Sequence, residues 1–83
     1  MYTLALKQSA RKELDKLDDA LQRRIGLIFE SLKKDPFQGK PLKGDLAGRR
    51  SVRVWPYRII YEIIKHELVI VVIEIVHRKD AYK

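Results

Sequence analysis

The stretch RSVRVWPYRIIYEIIKHELVIVVIEIVH, residues 50–77, decides the fold. It is dominated by β-branched and aromatic residues, broken twice where the chain can reverse, at Trp55-Pro56 and at Lys65-His66. Three strands in quick succession follow: Arg50 to Val54, Tyr57 to Ile64, and Glu67 to His77. The longest apolar-rich run, Leu68 to Val76, is interrupted by Glu74. It falls far short of the roughly 20 residues a membrane helix requires, so it reads as a strand.

Working back from this stretch, residues 35–48 carry Pro36, Gly39, Pro41, Gly44 and Gly48 and read as a loop. Before the loop, Leu21, Ile25, Ile28, Phe29 and Leu32 form one apolar helical stripe, with Asp18 or Asp19 as its cap and Pro36 as its stop. Ala10, Leu14 and Leu17 mark a shorter helix capped by Ser9, and Tyr2 to Lys7 alternates as a first strand. Asp80 to Lys83 is a short tail. The order β-α-α-β-β-β predicts an α+β fold, a helical hairpin packed on one face of a mainly antiparallel sheet. Residues 1–83 form one domain with room for one thin core, so any site lies on an open face or in a shallow groove.

The chain has 18 Lys and Arg against 11 Asp and Glu, a formal net charge of +7. Most of the excess is local: residues 33–58 hold eight basic and two acidic side chains, whereas residues 59–83 hold four of each. A clustered positive field attracts polyanions. Lys33, Lys34, Lys40, Lys43, Arg49 and Arg50 are therefore candidate contacts for RNA or a ribosome; the alternative for the four lysines is that they solvate a helix end and a loop. Cysteine is absent, which excludes disulfides and thiolate metal sites, and two histidines are too few for a histidine cage. No metal or other cofactor is expected. The first residues lack the basic and apolar regions of a secretory signal, which points to the cytoplasm.

Strand alternation sorts the side chains further. Val52 and Val54 oppose Ser51, Arg53 and Trp55. Tyr57, Ile59, Tyr61 and Ile63 oppose Arg58, Ile60, Glu62 and Ile64. Val69, Val71, Ile73, Ile75 and His77 oppose Ile70, Val72, Glu74, Val76 and Arg78. With the apolar sets turned to the helices, Ser51, Arg53, Arg58, Glu62, Glu74 and Arg78 gather on the open face. Three guanidinium forks from three strands suit a phosphate group. The alternative role for Arg58 and Arg78 is cross-strand pairing with Glu62 and Glu74.

These residues also carry a family resemblance. The Asp35-Pro36 helix end, Leu42-Lys43-Gly44, Ser51-Val52-Arg53-Val54, Tyr57-Arg58-Ile59-Ile60-Tyr61 and the ending His77-Arg78-Lys79-Asp80-Ala81-Tyr82 together resemble the RelE/ParE superfamily of toxins, closest to its RelE-like, mRNA-cleaving branch. The resemblance implies the toxin of a type II toxin–antitoxin system, which enters the ribosomal A site and cuts the message by attack of the ribose 2′-oxygen on the adjoining phosphate. By position, Arg58 matches the family's phosphate-stabilising arginine, Arg78 its C-terminal arginine, and Tyr82 the tyrosine that orients a base. Arg53 stands where the RelE pattern has a lysine, and Ser51 replaces a second lysine. Arginine is a poor base, so the base is unassigned. His77 is a further candidate, since histidine is the side chain suited to proton transfer near neutrality, but it alternates away from Arg78; its other role is that of a half-buried strand-end residue.

The implied partners are the ribosome, mRNA and a RelB-like antitoxin whose acidic helical segment covers the basic face in an oligomeric complex, with no role for a membrane. The competing functions are a ParE-like inhibitor of DNA gyrase without nuclease activity and an inactive basic RNA-binding member.

Overall fold

The computed structural model describes residues 1–81. Its elements are β1 (Thr3–Leu6), α1 (Gln8–Asp15), α2 (Asp19–Lys34), β2 (Lys40–Pro41), β3 (Arg49–Val54), β4 (Tyr57–Ile64), β5 (Val69–His77) and α3 (Arg78–Ala81). The five strands form one sheet in the order β1-β5-β4-β3-β2, with β1 parallel to β5 and the other pairs antiparallel. The chain is thus α+β, as the periodicity predicts.

Asp18 caps α2 as expected, its carboxylate accepting the Leu21 N–H at 2.9 Å. Ser9 caps nothing. It lies inside the first turn of α1, which follows Lys7 with no side-chain cap, and its hydroxyl reaches the Ile73 carbonyl at 3.5 Å. The apolar stripe of α2 buries Ile25, Phe29 and Leu32, which with Ala10 of α1 pack on Val54, Ile59, Tyr61, Ile70, Val72 and Ile75. Burying each large side chain of this set contributes roughly 1.5–3 kcal/mol.

Three expectations need correction. Residues 35–48 are not only loop: Lys40 and Pro41 pair with Ser51 and Arg50 as a two-residue edge strand. Proline lacks an N–H and suits such an edge. Second, β5 does not alternate throughout. Ile60 faces Glu74 but Tyr61 faces Val72, so Ile73 is the extra residue of a bulge. Consequently Ile70 and Val72, rather than Val69 and Val71, join Ile75 in the core cluster, while Ile73 is buried outside that cluster. Third, the last strand begins at Val69 rather than Glu67, after a 3-10 turn over Lys65–Glu67 and Leu68 at φ 57°; it ends at His77 as expected, but Arg78, expected to continue its alternation, opens α3, which runs into the expected tail.

Tyr61 ties the segment after α2 to the sheet. Fully buried, its hydroxyl donates to the Pro36 carbonyl at 2.7 Å and accepts the Gly39 N–H at 3.0 Å. Burial raises its pKa above the ordinary 10.0, outweighing the lowering by the Gly39 N–H and Arg50, while Asp35 adds to the rise. The folded state therefore keeps this proton to higher pH than the unfolded chain does. The corresponding stability is present below about pH 10 and is lost as pH rises beyond it. Tyr61→Phe should be less stable at neutral pH by about 1–3 kcal/mol, yet lose less stability between about pH 9 and pH 11. Urea melts of both proteins at the two pH values check this.

Candidate functional site

On the face of the sheet away from α1 and α2, β3, β4 and β5 place Ser51, Ile60 and Glu74 side by side in register. Leu42 and Leu46, from the segment leading into β3, and Asp80 of α3 flank this row, enclosing a cleft of about 460 Å³. Ile60 and Val76 supply its apolar lining. Arg58 is the guanidinium in the cleft. It is half-buried, and its Nη1 donates to the Ser51 hydroxyl at 3.1 Å. Ser51 is itself buried. A partly desolvated, oriented fork strengthens any contact with an anion.

The three arginines do not converge. Register sets Arg53 opposite Arg58, but Arg53 lies on the outer strand past the end of β2 and lines a separate groove with Arg24, Leu27 and Trp55. Arg78 has left the strand: its N–H donates to the Pro56 carbonyl at 2.8 Å, and its guanidinium lies 5.0 Å from the centre of the Trp55 ring. Trp55 closes the β3–β4 turn and is half exposed, with its carbonyl accepting from Arg24 at 3.0 Å. The turn geometry and the start of α3, neither visible to strand alternation, separate Arg78 from the cleft.

His77 sits on the helix side of the sheet, edge-on to Tyr57 with ring centres 5.2 Å apart. Its Nδ1 accepts the Lys79 N–H at 3.2 Å, so the imidazole caps α3. It lines a neighbouring cleft with Ser9 and Glu13, which meets the first at Glu74, Val76 and Asp80. Tyr82 lies outside the described residues. No group of three or more His, Asp and Glu suited to a metal occurs among the described residues, and no helix among them is long and apolar enough to cross a membrane.

The basic segment divides in the same way. Lys34, Lys40 and Lys43 are exposed, and Arg49 is half-buried opposite Glu62. Lys33 pairs with Glu30 at 2.8 Å. Arg50 holds the fold together: its Nη1 donates to the carbonyls of Gly39 at 2.7 Å and Phe37 at 3.2 Å, and the guanidinium lies over the Phe37 ring. Of the carboxylates of the cleft, Glu74 was expected on the open face only as a pairing partner for an arginine, and Asp80 was assigned to the tail. The available signal was Glu74 standing inside an otherwise apolar strand.

Residues 4–82 match the model of the ParE toxin family of type II toxin–antitoxin systems (parDE). Toxin RelG of Mycobacterium tuberculosis is 34% identical over 84 residues, spanning 99% of this chain and 97% of that protein. Toxin RelE of the same organism is 30% identical, spanning 99% of this chain and 87% of the relative. Among solved structures, the toxin–antitoxin complex RelBE2 of M. tuberculosis contains a chain that superposes with a TM-score of 0.85 at 32% identity, covering 93% of this chain and 98% of that one. Sequence, fold and length agree, and the chain belongs to the RelE/ParE superfamily of toxins from type II toxin–antitoxin systems.

Proposed function

We propose that this toxin is a ribosome-dependent mRNA endonuclease acting in the cytoplasm. The observation that carries the reading is Arg58, whose guanidinium is oriented by Ser51 inside an open-face cleft. Attack of a ribose 2′-oxygen on the neighbouring phosphate builds negative charge on the phosphoryl oxygens, and a preorganised guanidinium stabilises that charge without reorganising. Arg53, opposite Arg58 in register but in its own groove, adds to the positive field near the cleft. By their match to the family pattern, Arg78 acts on the leaving group and Tyr82, which lies outside the described residues, on a base of the codon. His77 contributes by holding α3. The exposed Lys34, Lys40 and Lys43, with Lys33 and Arg49, meet ribosomal RNA, and Arg50 shapes the loop that presents them.

A cleft this shallow supplies little grip on free RNA, so the ribosome provides the rest. Purified toxin should cut messages on programmed ribosomes and scarcely touch the same RNA in solution. Intact message on ribosomes, where a control nuclease cuts, is the opposing result. The partner is a RelB-like antitoxin, as in the RelBE2 complex, bringing an acidic helical segment to the basic face.

One observation favours a second reading. The separation of Arg78 from Arg58 leaves a single arginine in the cleft, as a ParE-like inhibitor of DNA gyrase without nuclease chemistry would tolerate. Inhibition of gyrase supercoiling without new message ends distinguishes it.

A further inference from the structure

Glu74 is the one Asp, Glu, Lys or Arg in strand β5, VIVVIEIVH. β5 is an interior strand, flanked by β1 and β4, where a carboxylate has poor strand propensity. The side chain is exposed and makes no ion pair or hydrogen bond among the described residues, so it contributes nothing evident to stability. Its placement nevertheless depends on a specific backbone feature. Under unbroken alternation Glu74 would share a face with Ile70 and Val72, which are buried in the core. The bulge at Ile73, immediately before it, lets those two residues pack on the helices while Glu74 turns to the open cleft beside Arg58. Bulges next to active sites commonly re-aim a side chain in this way.

We infer that Glu74 is the general base of the message-cleaving reaction, a role that rests on reading the Arg58 cleft as the nuclease site. The arginines stay protonated and cannot accept a proton. The His77 Nδ1 is occupied by the Lys79 N–H, and its ring lines the other cleft. Asp80 already has an interaction of its own. In the step assigned, the Glu74 carboxylate takes the proton of the ribose 2′-hydroxyl as the 2′-oxygen forms its bond to phosphorus. The bond between phosphorus and the 5′-oxygen breaks, and that oxygen leaves with the electron pair and takes a proton from solvent. The products are a 2′,3′-cyclic phosphate and a 5′-hydroxyl; the carboxylic acid then returns its proton to water. Arg58 offsets the repulsion between carboxylate and phosphate.

The test is single-turnover cutting on programmed ribosomes at saturating toxin, for wild type, Glu74→Gln and Glu74→Asp. The glutamine variant should melt and bind ribosomes like wild type but cut about 100-fold more slowly or worse, and the aspartate variant should fall between the two. A second message, with sulfur in place of the bridging 5′-oxygen, separates base from acid, because a thiolate leaves without a proton. Glu74→Gln should stay as slow, relative to wild type, on the sulfur message. Recovery there would place the carboxyl at the leaving group and overturn the assignment, as would an unchanged rate on the ordinary message. If wild type itself cuts neither message, the proposed function and this inference fall together; if wild type cuts and Glu74→Gln matches it, only the inference falls.

Discussion

Arg58→Ala is expected to lower the single-turnover rate of message cutting by about 10³-fold while leaving ribosome binding nearly intact. The magnitude follows from position. The guanidinium is half-buried and held by the Ser51 hydroxyl, so it meets the developing charge already oriented and partly out of water. Arg58→Lys should recover little, since an ammonium cannot reproduce the planar fork. Ser51→Ala removes one orienting bond of that guanidinium, and its cost should be nearer tenfold, the kinetic equivalent of about 1.4 kcal/mol. A melting curve for each variant separates loss of chemistry from loss of fold. Cleavage at the wild-type rate by Arg58→Ala would remove the cleft from the mechanism.

Gly39→Ala should produce the largest loss of stability from a single methyl group. A Cβ there would fall on the Tyr61 hydroxyl and come within 2.9 Å of the Ser51 carbonyl and the Tyr61 ring. The ring is fully buried and its hydroxyl is held by Pro36, so it has no room to yield. Overpacking together with disruption of the Gly39 N–H bond costs about 3 kcal/mol, a fall of roughly 12–24 °C in Tm for a chain of this size. The double variant Gly39→Ala with Tyr61→Phe should lose less than the two single losses combined, because deleting the hydroxyl removes the nearest obstacle and the bond. Strict additivity in thermal melts would contradict the contact. Since Ser51 and Gly39 lie across the same β2–β3 edge, Gly39→Ala should also slow cutting.

The elements whose signals are local were legible in advance. Asp18, the apolar stripe of α2 and the run of β-branched residues from Val52 onward each depend on neighbours within one turn or one hairpin, and the structure follows them. Ser9 misled because its hydroxyl lies within the first turn and reaches toward β5, a long-range partner that helix signals do not report. Lys40-Pro41 looked like loop because a two-residue edge strand carries no periodicity; only its pairing with Arg50 and Ser51 defines it.

The site divides along the same line. From residues 50–77 and the charge map alone came the α+β class, the open face, and Ser51 with Arg58 upon it. Alternation is a property of a single strand and needs no partner, so it survives wherever the strand is regular. The tertiary structure decided the rest: the bulge at Ile73 that sends Ile70 and Val72 to the core while Glu74 stays on the open face, and the start of α3 at Arg78 that carries its side chain onto Trp55. A bulge exists only as a mismatch between two paired strands, and the seat of Arg78 depends on a turn more than twenty residues earlier in the chain. Neither is written in the spacing of one segment.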